Sequence, residues 1–112
     1  MKCIVAVVKP FKVEAVTEAL HDIGVSGITL TEVRGHGRQR GHSEVYRGAE
    51  YRVDYIPKVR LEIICDDEDE RGIVDAIVGA ARTGAIGDGK YWVFPIGTAG
   101  RIRTGEVGSD AL

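Results

Sequence analysis

The chain lacks an excess of charge of either sign: 15 Lys and Arg stand against 17 Asp and Glu, a formal net charge of −2. Broad nucleic-acid binding needs a clear basic excess, so nucleic acid is not an expected partner. Long apolar runs are also missing. The longest, Cys3 to Val8, falls far short of the roughly 20 residues that span a bilayer. It follows Met1-Lys2 directly, with no small-residue cleavage site after it, so no signal peptide is expected and the protein reads as cytoplasmic. Cysteine is scarce, with two residues. Cys3 and Cys65 each sit in an apolar, strand-like stretch without the close CxxC spacing of a zinc or redox site, and are expected to be buried free thiols. No Ser–His–Asp or Cys–His grouping stands at a credible nucleophile position. His21, His36 and His42 have no Cys, Asp or Glu at ligand spacing beside them, which argues against a metal site built by the protein alone. The acidic run Asp66 to Glu70 reads as a solvated helix start, where carboxylates complement the helix dipole.

What is present suffices for a core. Hydrophobic residues make up 44% of the 112 and charged residues 29%, which predicts one domain over residues 1–112. Lys2 to Val8 is apolar on both faces and closed by Pro10. Val13, Val16, Leu20 and Ile23 recur at helical spacing, and Gly24 supplies the stop. Ile28 to Arg34 reads as a second strand. Val59, Leu61, Ile63 and Cys65 alternate with Arg60, Glu62 and Ile64 in a clean period of two. Asp67 with Glu70 resembles a capping box, and Ile73, Val74, Ile77, Val78 and Ala81 share one helical face behind it. Tyr91 to Ile96, aromatic and β-branched, is the last strand. The two halves repeat strand–helix–strand. Side by side they predict an α+β, ferredoxin-like βαββαβ sandwich: a four-stranded antiparallel sheet with both helices on one face. The other face of the sheet then needs cover, best supplied by further copies of the chain.

Gly35 to Ile56 is a connection of about twenty residues where about four to six are usual. It holds Arg38, Arg40, Arg47 and Arg52, and Val45, Tyr46 and Tyr51 give it something to present to a partner. Gly84-Ala85-Ile86-Gly87-Asp88-Gly89-Lys90 satisfies GxxxxGK. Tyr91 stands where a P-loop needs Ser or Thr, and the helix comes before the turn instead of after it, so this is not a Walker motif. Successive glycine amides and a lysine can still hold an anion. Taken alone, a helix C-terminal turn needing glycine for positive φ explains the segment equally well. Arg101-Ile102-Arg103-Thr104-Gly105 reads as an extended segment with two arginines on one face. Arg38, Lys90, Arg101 and Arg103 could balance the roughly four charges of a nucleoside triphosphate if the fold or its oligomer gathers them.

Three stretches together resemble one family over essentially the whole chain. Gly37-Arg38-Gln39 with Tyr46-Arg47-Gly48-Ala49-Glu50-Tyr51 and Pro57-Lys58-Val59 resemble the long loop of the PII nitrogen-signal proteins. Thr83-Gly84 through Lys90 resembles that family's second signature, and Arg101 to Gly105 its C-terminal segment. The resemblance implies a homotrimer with ATP or ADP bound between subunits. It implies a regulatory loop at about 36–55, a phosphate-binding loop at about 82–90 and a C-terminal segment at 101–112. Gly35, Thr83, Gly87, Asp88, Gly89 and Lys90 would hold nucleotide, with Arg38 at the loop's base and Arg101 and Arg103 reaching across from a neighbour. Thr29, Glu62 and Ile64 would serve the adenosine part. Gln39 would join the phosphates and 2-oxoglutarate around a magnesium ion. Lys58, with Gly37, Gln39 and Gly41, would hold 2-oxoglutarate. Tyr51 matches the tyrosine that relatives have uridylylated or adenylylated, while Ala49 replaces the serine phosphorylated in cyanobacterial members.

The function so implied is non-enzymatic: a sensor of ATP, ADP and 2-oxoglutarate that regulates nitrogen metabolism through its long loop. Its implied partners are an ammonium transporter, a nucleotidylyltransferase and the enzymes that regulate glutamine synthetase, and it would reach the membrane only through the transporter. Rival readings are a phosphate-transferring enzyme, which lacks a positioned nucleophile or base, and an RRM-like RNA binder. The latter wants exposed aromatics where Val59 to Cys65 is aliphatic or charged. A paralogue of the family serving another process, such as carbon uptake, is a closer rival.

Overall fold

The computed structural model describes residues 1–36, 42–46, 49–53 and 55–112, the two short central segments by backbone alone. Strand β1 (Lys2–Val8) is followed by Lys9, and a 3-10 turn beginning at Pro10 leads into helix α1 (Val13–Asp22). Gly24 stops that helix as expected. At a φ of 92° it donates to the His21 carbonyl at 2.9 Å, while the Val25 amide donates to Leu20 at 3.0 Å. These are the paired bonds of a Schellman end, which a left-handed glycine makes without a Cβ clash.

Strand β2 (Thr29–Gly35) follows, one residue later at each end than the sequence pattern suggests. The connection expected as a long loop contains a hairpin: β3 (His42–Tyr46) pairs antiparallel with β4 (Ala49–Val53), Tyr46 opposite Ala49. Strand β5 (Ile56–Cys65) and helix α2 (Glu70–Ala81) come next, and β6 (Gly89–Pro95) starts two residues earlier than expected. The capping box does not form. Asp67 opens a 3-10 turn and pairs with the Met1 amino group at 3.1 Å, while Asp66 accepts a bond from Ser109 Oγ at 2.6 Å. Partners from both chain ends have taken the carboxylates that local spacing would have assigned to the helix.

The main sheet runs β2-β5-β1-β6, every neighbouring pair antiparallel. With both helices packed against it, this is the ferredoxin-like βαββαβ sandwich; β3 and β4 form a separate two-stranded ribbon. Ile4, Ala6 and Val8 of β1 meet Leu61, Ile63 and Cys65 of β5 beneath Val16 and Leu20 of α1 and Ile73, Ile77 and Ala81 of α2. Each large aliphatic side chain so buried stabilises the fold by about 1.5–3 kcal/mol. Cys3 and Cys65 are buried free thiols, as expected, and the alternation of β1 and β5 sets them on opposite faces. The face away from the helices carries Arg60, Glu62 and Ile64 of β5, flanked by Val5 and Val7, with Trp92 and Phe94 on β6. Ile64, Trp92 and Phe94 remain 40–44% exposed. Among the described residues, no helix is long and apolar enough to cross a membrane.

Arg101 to Gly105 is not extended. It reverses between the bridged residues Gly100 and Val107, with the Arg101 amide donating to Glu106 at 2.8 Å and the Gly105 amide to Arg101 at 2.9 Å. Gly105 makes the reversal sterically easy at a φ of 84°.

Candidate functional site

The turn between α2 and β6 is organised around one carboxylate. Asp88 accepts bonds from the Thr83 and Gly84 amides, both at 2.8 Å, and from the Thr83 hydroxyl. Lys9 Nζ, arriving from the end of β1, completes the set at 3.1 Å. These bonds, the Thr83 hydroxyl first among them, hold the Asp88 carboxyl far below the usual carboxylate range. The side chain of Asp88 therefore folds the turn back on itself. Gly84, Gly87 and Gly89 all take positive φ, so the helix-terminus reading of this segment is correct as far as it goes. At Gly89 the demand is stricter, because a Cβ there would lie 1.8 Å from the Val7 carbonyl oxygen.

The turn forms one wall of a cleft of about 680 Å³, within the size range of small-ligand sites. Gly87, Gly89 and Lys90 line that wall. Opposite them stand Val33, Arg34 and Gly35 at the end of β2, and the floor is Val7, Lys58, Arg60 and Trp92. Four cationic side chains thus line the cleft, and among the described lining residues there is no carboxylate. Lys58 is nearly buried and donates from Nζ to the Gly87 carbonyl at 2.5 Å. Burial first, and then the charge of Lys9, push its ammonium below the usual lysine range, while Asp88 pulls the other way. Arg60 is partly committed, 2.7 Å from Glu62 and over the Trp92 ring at 5.8 Å. A glycine-rich wall beside Lys58 and Lys90 suits a polyanion.

The fold brings Gly35, Lys58, Gly87, Gly89 and Lys90 together around this cleft. Thr29 and Glu62 are register partners on the same sheet face, one pair further along than Thr31 and Arg60. They and the half-exposed Ile64 lie outside the cleft lining. Arg101 and Arg103 are exposed on the C-terminal turn and do not line the cleft of their own chain. Gly37, Arg38, Gln39, Gly41 and Arg47 lie outside the described residues, and of Tyr51 only the backbone, in β4, lies within them. Sequence reasoning passed over Lys9, Arg34, Arg60 and Trp92. The period-two pattern of β5 already set Arg60 on the face of Lys58, and the pattern of β6 set Trp92 beside Lys90. For Lys9 there was no local signal, since Asp88 lies 79 residues away.

Fold and cleft together define a ferredoxin-like domain with a cationic, glycine-walled cleft at the foot of a β-ribbon. A family model described as nitrogen regulatory protein P-II matches residues 1–106. Over all 112 residues, and over the full length of each relative, the chain is 56% identical to the nitrogen regulatory proteins P-II of Haemophilus influenzae and Rhodospirillum rubrum. It is 54% identical to that of Azospirillum brasilense. The chain belongs to the P-II family of nitrogen regulatory signal transducers.

Proposed function

We propose that this P-II chain senses ATP or ADP together with 2-oxoglutarate and reports the result through the segment 36–55. The observation that carries the proposal is the position of the cleft. Gly35 and Ile56 are register partners at the ends of β2 and β5, both line the cleft, and the β3–β4 ribbon springs from between them. A ligand gripped there acts on the root of the ribbon, so a partner that prefers one ribbon position is coupled reciprocally to the ligand.

In this reading the amides of Gly87 and Gly89 and the Lys90 ammonium hold phosphates. Lys58 exchanges the Gly87 carbonyl for a carboxylate of 2-oxoglutarate. Magnesium, when bound, supplies a hard cation that joins phosphates to 2-oxoglutarate, with Gln39 as its protein ligand and Gly37 and Gly41 alongside. Arg38 adds its charge to the phosphates, and Asp88 and Thr83 contribute by shaping the turn. Arg101 and Arg103 act on the cleft of a neighbouring copy in a homotrimer, which also delivers the adenosine to Thr29, Glu62 and Ile64. Nucleotidylylation of Tyr51 adds bulk and negative charge to the ribbon and redirects docking. The partners are an ammonium transporter, a nucleotidylyltransferase and regulators of glutamine synthetase. The chain itself is a non-enzymatic cytoplasmic regulator, recruited to the membrane through the transporter.

Trp92 is the sole tryptophan and lines the cleft, so its fluorescence reads occupancy without a label. Titration of ATP with magnesium, with and without 2-oxoglutarate, and of 2-oxoglutarate alone, tests the reading, with calorimetry alongside. Binding of 2-oxoglutarate only in the presence of Mg-ATP is the expected result. ATP binding with no response to 2-oxoglutarate would reduce the function to reading adenylate state. Binding of neither would overturn the proposal.

A further inference from the structure

Lys9 is a conspicuous cation outside the cleft lining. Its side chain is 15% exposed and its Nζ ends between two groups of the glycine turn, 3.1 Å from the Asp88 carboxylate and 3.3 Å from the Thr83 hydroxyl. Asp88 and Thr83 close the outer half of the turn: the carboxylate takes the Thr83 and Gly84 amides, and the Thr83 hydroxyl accepts the Ala85 amide at 3.2 Å, while Lys58 ties the inner half through the Gly87 carbonyl. The lysine is itself held firmly. It directly follows β1, whose last residue Val8 is the register partner of Gly89, and Pro10 stands behind it. The same ammonium thus ties the outer half of the turn, Thr83 to Ala85, to the strand against which its inner half, Gly89, is packed.

We propose that Lys9 is a positioning residue for the anion-binding turn, acting through Asp88 and Thr83 and without touching the ligand. The inference rests on the reading of the cleft as a phosphate site. Without the ammonium, the carboxylate loses its anchor to β1 and its bonds to the Thr83 and Gly84 amides open more often. The backbone of Gly87 and Gly89 then samples orientations that no longer suit one anion. An ion pair that is largely out of water, between groups fixed by backbone on both sides, is the kind whose loss is felt.

The test is a double-mutant cycle on the full chain, with ATP and inorganic triphosphate as probes, read by Trp92 fluorescence. Lys9→Met should weaken both probes about tenfold, and Lys9→Arg should hold them within about twofold of the parent. In an Asp88→Asn background, Lys9→Met should add less than about twofold, because the residue through which it acts has already lost its charge. A full tenfold loss in that background would mean that Lys9 meets the ligand directly, and the proposal would fall. A second readout needs no ligand: hydrogen exchange of the Thr83 and Gly84 amides should speed up about tenfold in Lys9→Met and stay near the parent rate in Lys9→Arg. If the parent binds neither probe, the phosphate reading fails and the exchange rates alone judge the anchoring of the turn. If the parent binds and Lys9→Met changes neither affinity nor exchange, Lys9 is a surface charge and the proposal is wrong. Lys9→Gln serves as the neutral variant if Lys9→Met does not fold.

Discussion

Two glycines of the same turn separate conformational need from steric need. Gly84 has a φ of 87° with nothing within 4 Å of where a Cβ would stand, whereas at Gly89, with a φ of 102°, that atom would collide with the Val7 carbonyl. Gly84→Ala should therefore cost only the left-handed backbone penalty, about 1–2 kcal/mol. Gly89→Ala must also push β6 away from β1, and should cost several times more and abolish cleft binding. Denaturant unfolding of the two variants checks the contrast; equal losses would mean that the close approach is not rigid. Asp88 sets a second expectation at this scale. Its folded pKa lies below its unfolded one, so its contribution to stability is complete above roughly pH 4. That contribution disappears as pH falls through the folded value, below the ordinary carboxylate range. Asp88→Asn should be less stable than the parent at neutral pH, and the gap should narrow only in strong acid. A gap that closed already near pH 5 would contradict the hydrogen-bonded carboxylate. The same residue scale shows what the sequence could not tell about Asp88. A carboxylate in a glycine turn looks like part of the ligand site, but its partners are the amides that open the turn.

At the scale of elements, the β3–β4 ribbon and the four-stranded sheet divide the work. The ribbon's strands pair with each other in a sheet of their own, while among the described residues the buried cluster comes from β1, β5, α1 and α2, with Val93 of β6 packed against it. Replacing residues 42–53 with a short Gly-Ser linker should leave the unfolding midpoint within a few degrees of the parent. The same change should remove partner binding and leave nucleotide binding at Lys90 in place. A large loss of thermal stability would show that the ribbon belongs to the core. The hairpin was readable in principle: Val45 and Tyr46 before Arg47-Gly48, and Tyr51 and Val53 after, are β-formers around a two-residue, glycine-containing gap. The polar, arginine-rich composition hid it, because a two-stranded ribbon in a sheet of its own need not alternate apolar and polar residues. The helices were easier. Val16 with Leu20, and Ile73 with Ile77 and Ala81, repeat at the spacing that a buried helical stripe requires, and each of them is buried.

At the scale of the whole molecule, the face away from the helices still exposes Ile64, Trp92 and Phe94 by 40–44%. Covering such a face by identical copies, as proposed above, would let arginines absent from their own chain's cleft serve the next one. Light scattering should give three times the mass of one chain. Phe94→Glu, which sets a charge on that face, should shift the population toward single chains and weaken ATP at the same time, since Arg101 and Arg103 leave with the neighbour. A parent protein that is monomeric at micromolar concentration would sink the trimer, and with it the role given to those two arginines.

The pattern of residues by itself determined the two strand–helix–strand units, the face each helix buries, the thiols as core residues and the glycine turn as a turn. All of these depend on periodicity or on φ, and both are local. Tertiary structure alone decided that Lys9 anchors Asp88, that Lys58 lies against Gly87, and that the ends of β2 and β5 meet that turn across a cationic cleft. It also decided that Asp66 and Asp67 serve the chain ends and not a helix cap. Those pairings join groups far apart in the chain, and only burying one shared core brings such groups within the few ångströms over which a hydrogen bond or an ion pair acts.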